Sequence, residues 1–407
     1  MSLDASESRY SGRQWVPVFE AATRDAGSDL HDKRRLCYVD NLRWTMIVLV
    51  LSMHACVTYS PFGSWYYRDR TSMGFGTILS FGAYQSFLQA FFMALLFFIA
   101  GYFAAESYER KGFGRFVRDR LFRLGLPTLL YMAVIGPLTQ YYLSHSWGKG
   151  GFAAQWWRHF SNGQLLAETG PMWFCAALLL FTGAYGAVRL VRRREIRIKL
   201  DDDRRSDVAV AGFIAVIAVG TFLVRLVEPE GKAVLNMQLG NFTQYVVMFA
   251  AGIVGYRSDW LAGLPERFCF RWGLIAILIA PPFFAALIWF GGAWQGHTAA
   301  YGGGWNPVSA AKSLWESLVC VGVSLGLLAL YRRCFDRREA ISGWLSDNSF
   351  AVYLIHPPVL IALAILLHGL AFDPLTKAVL LTVLGAVACF AILAPVLRRI
   401  PLLGAIL

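Results

Sequence analysis

Ten stretches of this chain are apolar enough, and long enough, to cross a bilayer, which leaves very few folds open to it. They run near residues 42–59, 81–103, 124–143, 172–191, 208–227, 242–256, 272–291, 313–331, 350–367 and 378–397. A hydrocarbon core about 30 Å thick calls for about 20 apolar residues per helix. Inside lipid the backbone must satisfy its own polar groups, which continuous apolar runs do as helices. The sequence therefore predicts an all-α, polytopic membrane protein with about ten transmembrane helices. Only 16% of the 407 residues are charged and 57% are hydrophobic, against about 25% charged in a soluble domain. The sixth run is short and opens with Asn241, Thr243 and Gln244, so hydropathy fixes its limits least.

A net charge of +12 raises nucleic acid as a partner, but the distribution of the basic residues argues for topology instead. In the ten-helix arrangement, 30 of the 38 Lys and Arg residues fall on one side, counting span-end residues such as Arg43 and Arg189. That asymmetry places both termini in the cytoplasm, and the expected location is a bacterial inner (cell) membrane. Runs such as Arg192-Arg193-Arg194 and Arg332-Arg333 read as topological flanks.

The first 36 residues are polar with no apolar core, so a cleavable signal peptide is not expected. The domain reading is a disordered cytoplasmic tail and lead-in over 1–41, a membrane domain over 42–397 and a short tail over 398–407. Cysteines 37, 56, 175, 269, 320, 334 and 389 fall in spans or cytoplasmic segments, and no Cys-x-x-Cys occurs. Neither disulfides nor a metal is expected. The outer loops around 63–67, 141–157 and 291–305 mix aromatic residues with Gly, Asn, Gln and His. They read either as an interfacial aromatic belt or as a platform for a sugar ring.

Arg43 and His54 stand eleven residues apart in the first run. Eleven steps of about 100° return to within roughly 20° of the start, so both lie on one helix face, about 16 Å apart along the axis. Arg43 then sits at the membrane surface and His54 near the midplane, where an ionisable group is by default a functional candidate. Of the seven histidines, only His54 and His356 fall well inside spans; His145, His159, His297 and His368 belong to outer loops or their margins, and His31 to the tail.

Three further groups carry potential chemistry. Arg115, Arg118, Arg120 and Arg123 precede Leu124-Gly125-Leu126-Pro127. Arg120 and Arg123 share a helix face, and such a pair suits a phosphate or pyrophosphate, or serves only as a positive flank. Trp173 stands where a span enters from the outer side. In the segment from Ser349 to Pro358, Tyr353 and His356 share a face, and Pro357-Pro358 is expected to interrupt the helix beside a lumen. His356 would lie about seven residues in from the cytoplasm, shallower than His54.

These residues resemble the acyltransferase-3 family of integral membrane acyltransferases. Tyr38-Val39-Asp40-Asn41-Leu42-Arg43 followed by His54 is similar to the family's first-helix signature. Phe97 to Phe103 is similar to its second-helix ending, and Arg120-Leu121-Phe122-Arg123 with Pro127 to its Arg-x-x-Arg motif. Trp173 and the Tyr353–His356 segment match later motifs. The ending Arg399-Ile400-Pro401-Leu402-Leu403 resembles the branch that succinylates periplasmic glucans. The resemblance implies transfer of an acyl group from cytoplasmic acyl-CoA, the donor substrate, to a hydroxyl of a carbohydrate or glycolipid at the extracytoplasmic side. Membrane lipids would be further partners.

Combined with the physical reading, the resemblance implies that Arg120, Arg123 and Arg118 hold the donor phosphates. Arg43 would contact the donor, and His54 would be general base or transient acyl carrier. Trp173, Tyr353 and His356 would line the tunnel or donate to an oxyanion. The rival reading is a transporter or flippase for a lipid-linked or free glycan.

Overall fold

The computed structural model describes residues 36–69, 71–143, 151–163, 169–191, 197 and 204–404; His31 and His145 lie outside them. Named in chain order, the helices are α1 Cys37–Tyr59, α2 Phe75–Arg120, α3 Phe152–Ser161, α4 Trp173–Val191, α5 Arg204–Val227 and α6 Phe242–Arg257. They continue with α7 Glu266–Phe290, α8 Pro307–Cys334, α9 Ala340–Leu367 and α10 Pro374–Val387. The described residues contain no named strand, only an isolated bridge between Val234 and Met237.

Among the described residues, eight helices are long and apolar enough to cross a membrane. One of these, Phe75–Leu143, contains both the second and third runs read from sequence. Gly112 separates them with φ 70° and ψ 171°, a left-handed conformation that glycine adopts without a Cβ penalty. The chain turns back there, because Arg120 Nη2 donates to the Phe103 carbonyl at 3.5 Å. Seventeen residues of unbroken helix would hold those groups about 25 Å apart. The third run then advances through π turns at Leu121–Gly125 and Tyr131–Ile135, just ahead of Pro127 and Pro137. Widening the turn relieves the clash of a proline ring with the preceding carbonyls.

The uncertain sixth run is α6, only 16 residues long. It packs backbone to backbone on α2: a Cβ on Gly101 would stand 2.1 Å from the Phe249 carbonyl oxygen, and one on Gly252 would stand 2.0 Å from that of Phe98. Small residues at such crossings let membrane helices approach closely. Its polar opening residue Gln244 donates to the Ala90 carbonyl of α2 at 2.7 Å.

Burial divides the spans into an inner and an outer set. The most apolar window is 61% buried in α1 and α9, 72% in α8 and 78% in the Phe75–Leu143 span, against 22–33% in the spans containing α4, α5, α7 and α10. Helix α1 packs against α2, α8, α9 and α10, so whatever projects inward from its middle meets protein rather than lipid. It begins at Cys37, five residues before the apolar run, with Asp40 in its first turn, where a carboxylate complements the helix dipole. Tyr38 and Asn41 tie this end down by donating to the carbonyls of Leu261, Phe335 and Arg337.

Candidate active site

Helix α1 turns His54 into the bundle, where it meets two other rings. Trp65 stacks on it with centroids 3.9 Å apart and planes 18° apart. His356 lies 5.2 Å away, its ring inclined by 22°, and Trp65 and His356 are 6.3 Å apart. Each ring holds a buried nitrogen with no hydrogen-bond partner among the described residues: His54 Nδ1, Trp65 Nε1 and His356 Nε2. Leaving a buried polar group unpaired costs about 1–3 kcal/mol, so three in one cluster mark a site built for something other than stability.

His356 lies deeper than its sequence suggested. Helix α9 starts at Ala340 behind a capping box of Glu339 and Ser342, and this sets His356 about 24 Å along the helix, level with His54. The double proline does not break α9, which runs unbroken through Pro357 and Pro358 to Leu367. Pro357 has no N–H to offer the Tyr353 carbonyl four residues back. The His356 Nδ1 takes its place, 2.8 Å from that oxygen. A carbonyl only accepts, so Nδ1 carries the proton, and in the neutral ring Nε2 is a bare acceptor. The proline thus satisfies the helix through a side chain and fixes the tautomer of a fully buried (0% exposed) histidine.

Trp65 reaches this depth on a loop whose ends are tied together. Asp69 N–H donates to the Thr58 carbonyl at 2.9 Å, closing residues 58–69 into an Ω-type loop. Arg68 Nη2 donates to the carbonyls of Ser60 and Pro61 at 3.2 and 2.9 Å. The Asp69 carboxylate, almost wholly buried, takes Lys377 Nζ at 3.2 Å and His368 Nδ1 at 3.0 Å. Loop, α1, α9 and α10 are therefore joined at the foot of the segment that presents Trp65.

The other sequence candidates divide. Tyr353 is in ring contact with His356 at 5.9 Å, but its hydroxyl already donates to the Pro171 carbonyl, so it is not a free oxyanion donor. Trp173 packs on Tyr245 and Phe97 and makes no ring contact with the stack. Arg43 stays at the helix end, its side chain 47% exposed, with Asp40 at 3.5 Å. Arg120 folds over the Phe116 ring at 5.2 Å toward the Phe103 carbonyl. Arg123 is 66% exposed and 3.4 Å from Asp119, and Arg118 is exposed. The three arginines share one end of the bundle, Arg118 and Arg123 facing solvent and Arg120 half-buried beneath them. Among the described residues no group of three His, Cys, Asp or Glu could hold a metal ion.

A family model described as an acyltransferase domain, acyltransferase-3, matches residues 37–394. The chain belongs to that family. It is a multi-pass membrane acyltransferase. No curated protein and no solved structure matches this acyltransferase.

Two parts of the acyltransferase escaped the sequence reading. Trp65 and Asp69 sit in a loop whose aromatic residues read equally as an interfacial belt; only the fold-back shows that one of them enters the core. By contrast Trp157 and Trp305 of the other loop regions are exposed at their surfaces. The second is a buried ionic cluster around Arg225, 1% exposed. Arg225 Nη2 contacts Glu230 at 2.5 Å, Glu316 at 2.7 Å and Asn241 Oδ1 at 2.7 Å, while Lys312 pairs with Glu230 and Glu316. Burial alone would raise the Glu230 pKa, but the Lys312 and Arg225 cations hold it below the ordinary 4.5. The signal available in sequence was Arg225 inside the fifth apolar run, with Lys312 and Glu316, four apart, at the start of the eighth.

Proposed function

We propose that this acyltransferase carries an acyl group, such as acetyl or succinyl, from acyl-CoA to a hydroxyl of a carbohydrate or glycolipid across the cell membrane. The basic end would face the cytoplasm, with both termini there. Arg120, Arg123 and Arg118 would meet the donor's phosphates, which guanidinium groups bind in charge-assisted pairs. Arg43, at the same end, would contact the donor as it enters. The pantetheine arm would run along α1 toward His54, which takes the proton of the acceptor hydroxyl as general base. Trp173, Tyr353 and His356 would line the path.

The observation that carries this reading is the stack of His54 on Trp65 beside His356, with its unpartnered nitrogens. A structural histidine would have a partner at both ring nitrogens. Purified protein in lipid vesicles, given acetyl-CoA or succinyl-CoA and a glucan or glycolipid, should release free thiol and add the acyl mass to the acceptor. Glycan movement without thiol release would favour transport instead. An acid quench during turnover should trap no acyl-His54; a trapped adduct would replace the base role by a covalent one.

A further inference from the structure

Acyl transfer at His54 needs a donor for the negative charge that develops on the carbonyl oxygen. The histidine beside it does not supply one in the neutral state, because the proton of His356 is committed to the Tyr353 carbonyl. The Tyr353 hydroxyl is committed to Pro171, and Trp173 is outside the stack. The indole of Trp65 is donor only. Its N–H is buried without a partner, on a ring 3.9 Å from His54. The loop that carries it is pinned by Asp69 to Lys377 and His368, the kind of rigid support a preorganised donor requires.

We propose that the Trp65 indole N–H binds the acyl carbonyl oxygen and stabilises its oxyanion, making this loop tryptophan a catalytic residue. The inference rests on the acyl transfer proposed above. In stacked rings the N–H and the imidazole lone pair both lie at the rim, in two nearly parallel planes. On this proposal a carbonyl held at the edge of the stack meets donor and base together. As the acceptor oxygen bonds to the thioester carbon, His54 takes the hydroxyl proton and the carbonyl electron pair moves onto the oxygen held by Trp65. Collapse re-forms the carbonyl and breaks the carbon–sulfur bond. The proton on His54 passes to the leaving thiolate, giving ester and free thiol.

The test separates a donor from a mere cover by sign. Diethyl pyrocarbonate acylates imidazole through the same kind of tetrahedral oxyanion, so its rate at His54, read by peptide mass spectrometry, reports the donor without any knowledge of the natural substrates. His368, whose side chain is 64% exposed, serves as internal reference and as a check on folding. Trp65→Phe keeps a stacked ring and removes the N–H. It should slow His54 acylation at least about tenfold relative to His368, and lower kcat with acetyl-CoA by about 10²–10³-fold with KM little changed. An unchanged His54 rate overturns the proposal. So does a faster one in Trp65→Phe or Trp65→Ala, which would make Trp65 a plug, and so does a His54 inert to the reagent in the wild type. His54→Ala that still turns over would remove the base role of His54, a result distinct from any of these.

Discussion

Arg225 and His54 are both ionisable side chains inside apolar helices, yet their surroundings are finished in opposite ways. Around Arg225 the chain assembles Glu230, Glu316, Lys312 and Asn241, two cations against two carboxylates, and the Gly240 carbonyl takes Arg225 Nε at 3.2 Å. Only Nη1 of that guanidinium lacks a partner. Around His54 the chain supplies flat rings and leaves a nitrogen on each unpaired. Burying charge is tolerable when it is paired and hydrogen-bonded, so the first cluster has the form of a joint between α5, α6 and α8. The second gives up stability at a place where a ligand can complete the bonding.

Mutations at the two clusters should therefore fail in different ways. The largest effect is expected for Arg225→Met, which strands Glu230 and Glu316 with Lys312 alone; breaking a buried pair costs about 3–5 kcal/mol. Thermal unfolding in detergent should show a large loss of stability, and a near-normal midpoint would mean the cluster is not a joint. His54→Ala should do the reverse, lowering transfer by about 10²–10⁴-fold, the usual range for a general base, with the unfolding midpoint kept. If stability falls as well, the contrast between the clusters disappears.

Asp69→Asn tests whether the Trp65 loop needs its latch. Asparagine keeps an acceptor for Lys377 but loses the charge, so about 1–3 kcal/mol of stability should go. Turnover should drop about tenfold as Trp65 loosens, the equivalent of about 1.4 kcal/mol on the barrier. Full activity at reduced stability would make the latch purely structural. The smallest change is expected for Arg123→Ala at the exposed rim. An exposed i,i+4 pair contributes at most about 1 kcal/mol, so stability should hardly move, while KM for acyl-CoA rises a few-fold at unchanged kcat. An unchanged KM would detach the rim from donor binding.

Much of the fold was legible because lipid allows so few solutions. Apolar runs locate the helices, and even the polar opening of the sixth run has its reason: Asn241 holds Arg225, and Gln244 holds α2. The helix ends were less legible. Tyr38 and Asn41 extend α1, and the capping box at Glu339 extends α9, through bonds to residues that hydropathy does not weigh. For the site, the sequence identified His54 and His356 as inward ionisable groups, but not that they share a level.

What the sequence determined alone is the set of membrane helices and the residues costly enough at that depth to need a purpose, because both follow from the free energy of placing single groups in hydrocarbon. Which of those groups meet was decided only in three dimensions. Trp65 on His54 and Asp69 on Lys377 are contacts between segments far apart in the chain or folded back across a loop. No helical period encodes such contacts; they exist because the closed loop and the neighbouring helices leave those side chains one arrangement that packs.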